Sequence, residues 1–102
     1  MAEMPHKESK EEIAKRLEIT RNALGFKTQA AFAEALDDSV TPQRWNNYES
    51  GRDRLTLNLA LVICEKWQQV TLDWLYRGDK STLRSAFPAH IDAAEKVVRL
   101  RR

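Results

Sequence analysis

The chain has 102 residues, enough for one small domain with short ends. With 42% hydrophobic and 31% charged residues and only three Gly and three Pro, it is neither low-complexity nor an all-β chain built on many tight turns. A net charge of +2 does not by itself point to nucleic acid, and the longest uncharged apolar stretch, LTLNLALVIC at 55–64, is too short to span a bilayer.

The start, MAEMPHKESKEE, lacks the apolar core of a signal peptide, and a cytoplasmic chain is expected. Residues 1–8 read as a flexible N-terminus. The first helix opens at Ser9, where Ser9 and Glu12 have the spacing of a capping box. Ile13, Leu17, Thr20 and Leu24 recur on one helical stripe, and Gly25 followed by Phe26 is a stop signal: Gly takes the left-handed conformation and the apolar residue folds back.

Thr28 is placed to cap a second helix, TQAAFAEAL, with Phe32 and Leu36 on its buried side. DDSV breaks the pattern. Thr41 caps a third helix with Pro42 at its first position, where the missing N–H costs nothing, and Gly51 stops it after Ser50. Thr56 opens a fourth helix with an expected inner stripe of Leu57, Ala60, Leu61, Cys64 and Trp67. Thr71 opens a short fifth, TLDWLYRG, with Leu72, Trp74 and Leu75 inward. KSTLRSAFPAH reads as linker; beyond Pro88, Ile91, Ala94 and Val98 mark a narrow stripe on a C-terminal tail, helical or frayed. These elements predict an all-α fold, divided into the N-terminus at 1–8, a domain at 9–79, and a linker and tail at 80–102.

The third helix has two unlike sides. At 100° per residue, Trp45 and Tyr48 lie about 60° apart and form an anchor. Gln43, Asn46, Asn47 and Ser50 gather opposite, with Arg44 and Glu49 at the boundary. An ordinary solvent-facing helix favours Glu, Lys and Ala over Asn. Amides instead donate and accept at once, and they pair bidentately with adenine; Arg does so with guanine. The surface is therefore suited to base edges.

TQAAFAEAL, TPQRWNNYESG, LTLNLALVICEKW and VTLDWLYRGD, in this order, resemble a phage-repressor-type (Cro/repressor, Xre family) helix-turn-helix domain over about residues 12–79. The resemblance implies a compact five-helix, lambda-repressor-like domain with a tail or extra helix. It also implies sequence-specific binding of double-stranded DNA by a transcriptional regulator, with the third helix in the major groove. Carried onto this chain, it implies base contacts by Gln43, Arg44, Asn46 and Asn47. Phosphate contacts fall to Thr28, Gln29, Thr41, Ser50, Arg52 and Arg54. Ala33, Trp45 and Tyr48 become packing positions, and Glu49 a structural acid. A homodimer is expected, formed through the fifth helix or the 91–98 stripe, because one such unit reads too few base pairs to be selective.

Two departures stand out. Asp37, Asp38, Ser39, Val40 and Thr41 make the turn two residues longer than the usual one, without its glycine; the aspartates are expected to point away from the groove face. Gln68-Gln69 replaces the usual glycine after Trp67 and is expected to extend the fourth helix. The alternative to DNA binding is a protein-interaction module of the same fold, antitoxin-like, with a protein partner. No cofactor, metal or catalytic constellation is expected. His6 and His90 are far apart, Cys64 is read as a small core residue, and the terminal RLRR as a solvated end.

Overall fold

The computed structural model of the protein describes residues 8–37, 39–84 and 86–100. Most of the expected N-terminus (residues 1–7, with His6), Asp38 of the long turn, Ser85 of the expected linker and the last two residues of RLRR lie outside the described residues. The described residues form helices and loops with no strand. The helices are α1 (Lys10–Ala23), α2 (Gln29–Leu36), α3 (Pro42–Glu49), α4 (Leu57–Lys66), α5 (Leu72–Arg77) and α6 (Phe87–Leu100), with a 3-10 turn at Lys80–Thr82 before α6.

The starts of the first five helices are fixed locally. The side chains of Ser9, Thr28, Thr41, Thr56 and Thr71 each accept a hydrogen bond from the backbone N–H three residues on, satisfying one donor that the helix leaves open. The end of α1 is a Schellman stop: Phe26 N–H donates to the Arg21 carbonyl at 3.1 Å and Gly25 N–H to that of Asn22 at 3.0 Å. Gly25 sits at φ 95°, a conformation that a Cβ would disfavour.

Helix α1 is the hub of the packing, touching α3, α5 and α6. Ile13, Leu17 and Thr20 are buried as their spacing predicts, but so are Ala14, Arg16, Ile19 and Arg21. The extra burial comes from three neighbours: α3 and α5, which receive Arg21 and Arg16, and α6, which lies along α1 and inserts Phe87, Ile91, Ala94 and Val98 into the same core. The stretch read as linker contributes Leu83, also buried. Lys80 bonds both Asp92 at 2.8 Å and Glu95 at 3.0 Å, tying the 3-10 turn to α6.

Helix α4 differs from its expected stripe. Ala60 and Ile63 are fully buried and Cys64 and Trp67 half-buried, whereas Leu57 and Leu61 are exposed. Nearly every residue from 57 to 64 is apolar, so periodicity cannot choose a face; packing against α2 and α5 does. The helix stops at Lys66 rather than continuing through Gln68-Gln69, because Trp67 leaves helical geometry at φ −123°, ψ 87° and Val70 N–H turns back onto its carbonyl at 2.9 Å.

Buried polar groups are matched. Arg16 donates from Nε to the Leu75 carbonyl at 2.9 Å and from Nη2 to that of Tyr76 at 3.0 Å, closing the C-terminal end of α5, where the helix dipole favours a cation. Burial lowers the Arg16 guanidinium below the ordinary arginine value, and Glu12 and Glu8 oppose that shift. Trp74 Nε1 donates to the Thr20 hydroxyl at 2.8 Å, which itself donates to the Arg16 carbonyl. Among the described residues no buried side-chain nitrogen or oxygen lacks a partner.

Candidate nucleic-acid interface

The surface built by α2, the turn after it and α3 begins with an aromatic floor. The Phe32 ring lies 4.6 Å from that of Trp45, 5.0 Å from Trp67 in a stacked arrangement, and 5.4 Å from Phe26. Trp45 is fully buried and its ring meets that of Tyr48 edge-on at 6.1 Å. The anchor side of α3 therefore faces inward. Such rings bury large apolar areas and favour offset and edge contacts, which fixes the helix against rolling.

Polar bonds fix it further. The Glu49 carboxylate, at the end of α3, accepts from three elements. Arg21 of α1 donates from Nε at 2.7 Å and from Nη2 at 3.2 Å; Gln29, the first residue of α2, donates from Nε2 at 3.0 Å; Trp45 donates its indole N–H. Arg21 spends Nη1 on the Phe26 carbonyl at 3.0 Å. One carboxylate thus clamps the rotation of α3 against both α1 and α2. The sequence reading assigned Glu49 a structural part but missed Arg21. The available signal was that Arg21 lies one turn after Leu17 on the inward side of α1.

The opposite side of α3 meets solvent. Thr41, Gln43, Arg44 and Ser50 are exposed, and Asn46 and Asn47 half-buried. Two bonds run one turn along this surface: Gln43 Nε2 donates to Asn47 Oδ1 at 3.2 Å, and Arg44 Nε donates to the Tyr48 hydroxyl at 3.4 Å. The bond to Tyr48 raises the Arg44 guanidinium above its ordinary value. Of the expected base-reading residues, Gln43, Asn46 and Asn47 lie on the side away from Trp45, and Arg44 lies at its edge beside Tyr48.

The expected phosphate contacts are more mixed. Thr28 and Thr41 are exposed at the caps of α2 and α3, with each hydroxyl accepting a backbone N–H. Gln29 is half-buried and commits one Nε2 proton to Glu49, leaving the second. Ser50 Oγ donates to the Asn47 carbonyl at 3.2 Å, and Arg52 is exposed just past Gly51. Arg54 is exposed, but its Nη1 donates to the Glu8 carbonyl at 3.0 Å, holding it toward the start of α1.

The long turn folds over an apolar residue rather than a glycine. Val40 is buried, its N–H donating to the Asp37 carbonyl at 3.0 Å. Asp37 Oδ2 accepts from the Ser39 hydroxyl at 2.7 Å. The turn borders a cleft of about 310 Å³ between α3 and α4, lined by Asp37, Val40, Arg44, Tyr48, Leu59 and Val62. Asp37 thus borders the same cleft as Arg44.

Comparison with protein-family models, curated proteins and solved structures finds no match to this chain. Among the described residues no group of three or more His, Cys, Asp or Glu side chains is placed to hold a metal ion, and no helix is long and apolar enough to cross a membrane.

Proposed function

We propose that the chain is a cytoplasmic, sequence-specific DNA-binding transcriptional regulator of the phage-repressor (Xre) helix-turn-helix type, working without catalysis or cofactor. In this reading α3 lies in the major groove, α2 crosses the phosphates, and two copies bind half-sites about 10 bp apart or a multiple of that. The observation that carries it is the Glu49 clamp: α3 is locked with Trp45 and Tyr48 inward, so that Gln43, Arg44 and Asn47 point away from the core. A reading helix must be held rigidly if hydrogen bonds to base edges are to discriminate.

With a net charge of +2, affinity has to come from local groups. Arg44, Arg52 and Arg54, with the N-terminal ends of α2 and α3, supply them. The test is binding of a random duplex at low salt, followed by selection of bound sites from a random pool. A regulator binds, loses affinity steeply as salt rises, and enriches a two-fold symmetric site. Absence of binding at low salt overturns the proposal.

A second reading, a protein-interaction module, draws on Leu57 and Leu61. They are 57% and 44% exposed on α4, whose Leu59 and Val62 line the cleft beside α3. Large exposed apolar side chains grouped on one helix favour a protein contact.

A further inference from the structure

The bond between Gln43 and Asn47 divides labour on the reading surface. Both side chains carry an amide, and each alone could pair with adenine. In the fold they are not equivalent. Gln43 donates one Nε2 proton to Asn47 Oδ1 at 3.2 Å. That leaves Gln43 with its second Nε2 proton and Oε1, the donor and acceptor pair that matches N7 and N6 of adenine. Asn47 Oδ1 has one of its two lone pairs engaged by Gln43 and keeps the other together with the two protons of Nδ2, so that bond ties the Asn47 amide to Gln43.

The backbone supports this order. Gln43 is in the first turn of α3, where a groove helix reaches deepest, and is exposed; Asn47 is one turn later and half-buried, and its own carbonyl accepts from Ser50 Oγ. A free glutamine side chain has three rotatable bonds and loses rotamer entropy on binding. A residue one turn on that accepts from its amide removes part of that cost and sets which way the amide faces.

We infer that Asn47 is a positioning residue rather than a base reader: it holds the Gln43 amide in the orientation that selects adenine at one position of each half-site. This rests on the DNA-binding reading above and specifies it. It differs from the expectation that Asn47 reads a base itself.

The experiment uses the full chain and selection from a random duplex pool, with affinities then measured on sites altered one base at a time. Wild type, Gln43→Ala, Asn47→Ala and Asn47→Asp are compared, each checked for an unchanged melting transition. The position whose preference disappears in Gln43→Ala is the one Gln43 reads. It is expected to be adenine, favoured about 5- to 100-fold over guanine by wild type. Asn47→Ala loses most of that preference at the same position and changes no other. Asn47→Asp keeps an oxygen for Gln43 and so keeps the preference, while its new charge weakens binding to every sequence alike.

Three results overturn the inference while leaving DNA binding intact. These are a base other than adenine at the Gln43 position, an adenine preference unaltered in Asn47→Ala, or a preference lost at a different position in that variant. Wild type that fails to bind duplex at low salt removes the regulator reading itself, and the assignment falls with it.

Discussion

Arg21 on α1 and Glu49 at the end of α3 form a two-pronged ion pair, 2.7 Å and 3.2 Å, with side chains only 7% and 4% exposed. Twenty-eight residues apart in sequence, they meet because the turn after α1 and the helix-turn-helix pair fold back over the Phe26, Phe32 and Trp45 rings. The pair gives the surface of α3 its fixed orientation. Its value lies more in specifying that orientation than in net stability, since buried charges forfeit much of their attraction to desolvation.

Removing one partner is another matter, because the other is left buried and uncompensated. Glu49→Ala strands Arg21, Gln29 and the Trp45 indole together and should destabilise the fold by about 3–5 kcal/mol. Urea denaturation followed by tryptophan fluorescence checks this. A loss below about 1 kcal/mol would mean the carboxylate is not the clamp described.

Arg44 is exposed and its side-chain hydrogen bond among the described residues runs to Tyr48 of its own helix, so its removal should spare stability and cost recognition. Arg44→Ala is expected to weaken the preferred duplex by about 1–3 kcal/mol and to relax preference at one base position. Uniform weakening across all sequences would assign Arg44 to phosphate instead.

Gln29 has two tasks to separate. Its Nε2 supports Glu49 through one proton and has a second to offer a phosphate. Gln29→Ala should lower duplex affinity on all sequences alike, with base preference little changed, as befits a backbone contact. Competition binding against single-base site variants distinguishes this from a loss of selectivity caused by a loosened α3.

Helix α6 is part of the core rather than an appendage. Ile91 is fully buried against α1, and Ile91→Ala should cost about 2–5 kcal/mol in denaturant unfolding. Ala89→Ser on the exposed side of the same helix should change little and serves as the control.

Burial raises both the Cys64 thiol and the Tyr76 phenol, whose hydroxyl donates to the Leu55 carbonyl at 3.0 Å. Both groups are neutral when protonated, and the fold holds their protons more tightly than the unfolded chain does. Their contribution is therefore complete below the ordinary thiol value of 9.0 and is lost as pH rises through the folded values. Thermal melts should show stability falling above that pH, less steeply in Cys64→Ala. Alkylation of Cys64 near pH 8 should be slower in the native chain than in denaturant.

What the sequence determined by itself is local. Ser9, Thr28, Thr41, Thr56 and Thr71 mark helix starts because a capping hydroxyl reaches a backbone N–H three residues away, and Gly25 ends α1 because its positive φ is one that residues with a Cβ disfavour. The inward turn of Trp45 and Tyr48, and with it the outward amides of α3, follows from the helical period of one short stretch. Contacts between distant segments were decided by the tertiary structure. The burial of Arg16 and Arg21, the packing of α6 along α1, the exposure of Leu57 and Leu61 in a stretch, 57–64, that is apolar but for Asn58, and the tie between Gln29 and Glu49 depend on which neighbour arrives. Periodicity records that a side is buried, but a uniformly apolar helix has no preferred side and a charged residue gives no local sign of the partner that will bury it.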